Sequence, residues 1–150
     1  MANHINCTFN TPIEQAYNKI KNATSSQELL NNICYIIDNC LYIDYRNFKP
    51  IGGPVIYDQL LAHIHNIIKQ LLSVTPELIA YVSFSGFSIR ELDKHLNFFK
   101  TVSIALDTQY PNKLSICYIH NATSTFTQLF NLLSCFIDKV TLSKVKLVNK

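Results

Sequence analysis

The chain has no tryptophan, one methionine and three glycines in 150 residues. No apolar run approaches the roughly 18 residues that a membrane-spanning helix requires. The opening MANHINCTFN has no basic region leading into an apolar stretch, so it does not read as a secretory leader. The five cysteines, Cys7, Cys34, Cys40, Cys117 and Cys135, are odd in number and form no Cys-x-x-Cys pair. The last four lie in apolar segments and read as buried, reduced thiols. Gly52-Gly53 is not followed by Gly-Lys-Ser/Thr, so there is no phosphate-cradling loop. Ser83 and Ser85 sit in no Gly-x-Ser-x-Gly elbow. His63 and His65, near Asp58, are two residues apart on a helical pattern and point to different faces, unlike the i,i+4 pair of helical zinc motifs. Asp38 and Asp44 have no evident carboxylate partner for acid–base chemistry. These absences argue against an enzyme, a metal site and a bound cofactor.

Charge is also scarce. Only 15% of residues are charged, and the net charge is +3. That balance permits contact with an anionic surface but does not indicate nucleic-acid binding. Nearly half the residues (48%) are hydrophobic, which is a globular composition, and the length suits one domain with its own core. Fifteen asparagines make chance sufficient for the three Asn-x-Ser/Thr sequons at Asn6, Asn22 and Asn121.

The pattern along the chain begins with helices. Thr11-Pro12-Ile13-Glu14 reads as a helix start, with Ile13, Ala16, Tyr17 and Ile20 on one face. Ser25 and Glu28 are spaced as a capping box, followed by Leu29, Leu30, Ile33, Ile36, Ile37 and Cys40 at helical spacing. Two short helices are therefore expected within residues 1–40. Leu41–Tyr45 reads as a strand or an extended connector. Asn47–Gly53 is a loop, and Pro54–Tyr57 is expected to be a short strand. Leu60 to Leu72 marks an amphipathic helix. Leu78–Phe84 is continuously apolar, as in a strand buried on both faces. Ser88 should cap a long helix to about Gln109. A strand over Leu114–Ile119, a helix over Thr123–Phe136 and a strand over Val145–Val148 complete the chain. This alternation predicts an α/β domain over residues 1–150, with helices over 1–40 and an α/β core over 41–150. Its sheet should be mostly parallel, of four or five strands, flanked by helices.

One stretch carries more than periodicity. Pro111 cannot continue a helix and biases Tyr110 away from helical angles, so Tyr110-Pro111 ends the long helix. Leu114 re-enters the core, and Asn121 stands where it can cap the next helix. Together, Tyr110-Pro111-Asn112-Lys113-Leu114, the strand Ile116–His120 ending in Asn121-Ala122, the spaced Phe126 and Phe130, and Ser143–Asn149 resemble the CRAL-TRIO family. That family includes the lipid-binding domain of the yeast phosphatidylinositol transfer protein. Gly53–Tyr57 is similar to the family's Gly-Arg-Pro-Val segment. Tyr81–Gly86 is similar to the segment that usually ends Asp-x-x-Gly. The resemblance spans roughly residues 50–149. Ser83 stands where the family has Asp, and Ser134-Cys135-Phe136-Ile137 replaces basic and proline residues common before the last strand. The chain stops at Lys150, where lipid-transfer members continue.

The resemblance implies a non-enzymatic module that holds a hydrophobic ligand, a phospholipid or another lipid, under an aromatic gate helix. The expected pocket residues are Ile79, Tyr81, Cys117, Ile119, Phe126, Leu129, Phe130 and Leu133. Lys139, Lys144 and Lys146 are candidates for a headgroup or membrane surface. It implies a cytoplasmic protein capable of peripheral membrane contact. The alternative is a protein-interaction module of the same fold with a filled pocket, as a homodimer or an adaptor in a small-GTPase pathway. The state of the pocket separates the two.

Overall fold

The computed structural model describes residues 26–148. The expected helix from Thr11, together with Cys7, Asn6, Asn22 and Asn149, lies outside the described residues. Helix α1, Ser26–Ile33, buries Leu30 and Ile33. It stops at Ile33 instead of running on to Cys40, because Cys34-Tyr35-Ile36-Ile37 forms strand β1. Aromatic and β-branched side chains favour that extended state. Asp38 and Asn39 both have positive φ, 51° and 61°, and turn the chain into β2, Cys40–Asp44. Two successive positive-φ residues are the signature of a two-residue hairpin turn that matches strand twist. The antiparallel register pairs Ile37 with Cys40 and Cys34 with Ile43.

A single-turn helix, α2 (Tyr45–Phe48), follows directly, capped by the Asp44 carboxylate accepting from the Arg46 backbone N–H at 3.0 Å. The expected strand at Pro54–Tyr57 is instead the first turn of α3, Pro54–Leu72. Proline at the first helical position loses only an N–H that has no intrahelical partner there. Strand β3 (Leu78–Ser83), helix α4 (Ile89–Gln109), β4 (Leu114–His120), α5 (Ser124–Leu133), a 3-10 turn at Ser134–Phe136, α6 (Lys139–Ser143) and β5 (Val145–Leu147) complete the described chain.

The five strands lie in the order β1-β2-β3-β4-β5, antiparallel only at β1–β2. This is the expected mostly parallel α/β sheet. Its order never reverses. Right-handed crossovers that always step in one direction place their helices on one face, and α3, α4 and α5 all border a single cavity there.

Tyr110 ends α4 with its N–H donating to the Leu106 carbonyl at 2.9 Å. Asn112 then takes φ 60°, and the Lys113 carbonyl accepts from the Leu78 N–H at 2.6 Å, so the Tyr-Pro turn delivers Leu114 into register beside Leu78. At the other end of β4, Asn121 does not cap α5. Thr123 does, its hydroxyl oxygen accepting from the Phe126 N–H at 3.4 Å. Asn121 instead adopts φ 56° and donates its side-chain amide to Ser83 Oγ at 3.0 Å. Ser83, at the position where the family pattern carries Asp, thus still offers an oxygen to the end of the neighbouring strand.

Candidate functional site

Between the sheet and its helices lies a cavity of about 300 Å³. Its floor is one pleat of the sheet. Ile43, Val82 and Ile119 are register partners across β2, β3 and β4, and Cys117 and Val145 are partners across β4 and β5. Parallel partners project to the same side, so the floor is set by strand parity. Helix α4 supplies one wall through Phe98, Phe99 and Val102, and α3 contributes Leu60 and Ile64. Helix α5 covers the cavity with Phe126, Leu129, Phe130 and Leu133, and Ile137 follows just beyond it.

The lining is almost wholly apolar. Ser103 is its one aliphatic polar side chain. Tyr45 also borders the space, but its hydroxyl donates to Glu91. Behind that contact, His95 is fully buried, with Nε2 3.4 Å from Glu91 and Nδ1 2.5 Å from the Tyr57 hydroxyl. The Tyr57 hydroxyl and His95 Nδ1 form a hydrogen bond whose donor is set by the imidazole tautomer. Burial lowers the His95 pKa, and Glu91 partly opposes the shift. Phe48 packs against the His95 ring at 4.9 Å, and Glu91, His95 and Tyr57 do not border the cavity. Gly52 is required beside it, because a Cβ there would fall 2.7 Å from the Phe48 ring.

Cys117 is only partly buried, yet its thiol is pushed up to about 12 by desolvation. Its free surface therefore faces the cavity, not water. Cys34, pushed up to about 12 by burial, is an inert core thiol.

Six of the eight expected pocket residues, Cys117, Ile119, Phe126, Leu129, Phe130 and Leu133, border the cavity. Ile79 and Tyr81 do not. They alternate with Ala80 and Val82 along β3 and project from the other face, where Tyr81 stacks between Tyr42 and Tyr118. A continuously apolar strand carries no alternation to reveal which parity faces which side. Phe98, Phe99 and Val102 were not expected in the site. Their spacing on one side of α4 was the available signal.

The lysines separate. Lys139 begins α6 and is exposed, two residues beyond the lining Ile137. Lys144 is partly buried beside the lining Val145. Lys146 pairs in register with Tyr118 and so projects from the face away from the cavity. A further cation, Lys100, sits 4.5 Å above the Phe136 ring, just past the covering helix. His63 and His65 have structural partners. His63 Nε2–H donates to the Cys34 carbonyl at 2.9 Å, and His65 Nδ1 meets the Tyr110 hydroxyl at 3.0 Å. Among the described residues, no helix is long and apolar enough to cross a membrane.

Comparison with known proteins agrees with this geometry. No curated protein matches the chain. Among solved structures, the crystal structure of yeast Sfh5 superposes with a TM-score of 0.69 at 17% identity, over 92% of this chain and 52% of that one. The chain thus spans about half the length of Sfh5. The family model for the CRAL/TRIO domain, a family that binds lipophilic ligands, matches residues 13–150. The chain belongs to the CRAL/TRIO domain family.

Proposed function

We propose that the chain is a non-enzymatic module that holds a lipid in the cavity beneath α5. The observation that carries this reading is the lining. An apolar space, partly open to solvent and at the lower end of the size range for ligand sites, favours a hydrophobic guest. Taking about 30 Å³ for each water-sized group, 300 Å³ accommodates on the order of ten such groups. That is one acyl chain or a compact apolar molecule. A two-chain phospholipid enters only if α5 moves outward. In that case Lys139 and Lys144, beside Ile137 and Val145, are the cations nearest an emerging headgroup. Lys146 is not among them.

The outside of the covering segment supports peripheral membrane contact. Leu132, Phe136 and Val140 are exposed at four-residue intervals, with Lys100 and Lys139 nearby in chain or space. Apolar groups flanked by cations suit an anionic leaflet. The competing reading, an adaptor with a packed interior, is disfavoured by the open cavity.

The test is native mass spectrometry of the purified protein, followed by organic extraction and identification of any lipid. A stoichiometric lipid, single-chain or phospholipid, establishes the guest. A bare protein that also fails to take up fluorescent phospholipid or fluorescent fatty acid overturns the proposal.

A further inference from the structure

Among the described residues, Tyr45 is the one tyrosine that borders the cavity. Its ring sits in a nest of phenylalanines. Phe48, Phe84, Phe87 and Phe99 lie at centroid separations of 5.7, 6.1, 5.1 and 6.5 Å. A phenylalanine would fill that nest equally well. The hydroxyl adds a desolvation cost, which donation to the buried Glu91 carboxylate offsets. Glu91 stands in the first turn of α4, where the helix dipole favours negative charge. The oxygen that accepts from Tyr45, Oε1, also lies 3.4 Å from Nε2 of His95, one turn further along. The His95 ring meets Phe48 and Tyr57 edge to face, at 4.9 and 5.7 Å.

Tyr45 is thus held at both ends. Its backbone starts α2, which Asp44 caps, and its hydroxyl is tied to a carboxylate seated beside His95. Apolar side chains of similar volume often serve stability as well as a buried charged group does. What the polar set adds here is a cavity-wall ring that cannot swing.

The place of that ring gives it a use. Tyr45 directly follows β2, and Val145 lies on β5, at the far side of the cavity floor. Three strand spacings separate β2 from β5, roughly 14 Å. Tyr45 and Phe48 are buried, whereas Ile137 and Val145 are half-buried. Lys139 and Lys144 stand beside those two, and the Asp138 carboxylate between them is engaged in capping α6. The charge behind Tyr45 is negative, which disfavours an acidic headgroup at that end. Resting on the lipid reading above, we propose that Tyr45 is the stop for the tail of the guest and limits its length. Glu91 and His95 are the positioning residues that hold the stop in place.

The test follows displacement of a fluorescent fatty acid from the full chain by a ladder of unlabelled saturated fatty acids. In the wild type, affinity should rise with chain length and level off at on the order of ten carbons. In Tyr45→Leu the levelling point should move about two carbons longer or more, because the smaller side chain leaves room at the tail. Glu91→Met unties the hydroxyl and should also extend the limit. Glu91→Gln, which still accepts from the hydroxyl, should restore it. A merely structural role would weaken binding at every length in parallel, and that result overturns the proposal, as does an unchanged limit in Tyr45→Leu. Should Tyr45→Leu not fold, Tyr45→Phe decides. It keeps the ring and loses the tether, so longer chains should gain on shorter ones, and an unchanged length profile overturns the proposal. A wild type that takes up no fatty acid of any length overturns the lipid reading and this inference with it. Uptake without any length limit overturns the stop alone.

Discussion

Asp44 ends β2 with no exposed surface, and its carboxylate accepts hydrogen bonds from the Arg46 N–H and, at 3.4 Å, from the Asn47 amide. Burial raises its pKa from 3.8 to about 6, against the opposing pull of the Arg46 N–H and charge. The folded chain thus holds this proton more tightly than the unfolded chain. The resulting stability is fully present below about pH 4 and is lost as pH rises through about 6. A shift of that size corresponds to on the order of 3 kcal/mol. Asp44→Asn keeps an acceptor for the Arg46 N–H and removes the titration. Urea melts of the variant should show a markedly shallower fall in stability between pH 4 and pH 7 than wild type; parallel curves would mean that Asp44 is not the group responsible. Asn121 is a second residue whose role is local. Its left-handed backbone and its amide contact to Ser83 Oγ are both lost in Asn121→Ala, which should cost about 1–2 kcal/mol. Asn121→Gly should cost less, since glycine accepts the backbone conformation freely. Equal losses in the two variants would show that the hydrogen bond alone matters.

At the scale of elements, the β1–β2 hairpin shows how local chemistry overrides periodicity. Residues 29–40 place apolar side chains at helical spacing, and the sequence reads as a helix. The decisive signal was the Asp38-Asn39 pair. These residue types tolerate positive φ, and two of them between apolar runs mark a two-residue turn. Asn39→Gly should therefore be neutral or stabilising by up to about 1 kcal/mol, and Asn39→Val should cost about 1–2 kcal/mol. Thermal melts of the pair test the ordering. The same conflict misplaced the start of α3, where a proline after two glycines reads equally as a strand end or a helix start. Elsewhere the elements were legible. The α4 helix, β3, β4, α5 and the Tyr110-Pro111 stop all follow from spacing, caps and proline geometry. The pocket was legible where residues belong to a helix, because α5 shows its apolar face in Phe126, Leu129, Phe130 and Leu133. It was not legible on β3. There, every position from Leu78 to Val82 is apolar or aromatic, so Ile79 and Tyr81 could not be told from Ala80 and Val82.

The whole molecule is asymmetric because its strand order never reverses. Crossovers that step in one direction add their helices to the same side, so α3, α4 and α5 roof one face of the sheet. The cavity lies between that roof and the sheet. Its large aromatic lining, Phe98, Phe99, Phe126 and Phe130, leaves gaps between rigid rings rather than filling them. This separates binding from folding. Filling the space should add dispersion contacts at no cost to the sheet, while removing room for a guest. Val102 on α4 is the position to use, since it borders the cavity and is not itself fully buried. Val102→Trp should leave the melting temperature unchanged or higher and reduce uptake of a fluorescent fatty acid at least tenfold. A large fall in melting temperature would show that the site is already packed. Retained uptake in a stable variant would place the lipid elsewhere, on the exposed Leu132–Phe136–Val140 surface instead of under α5.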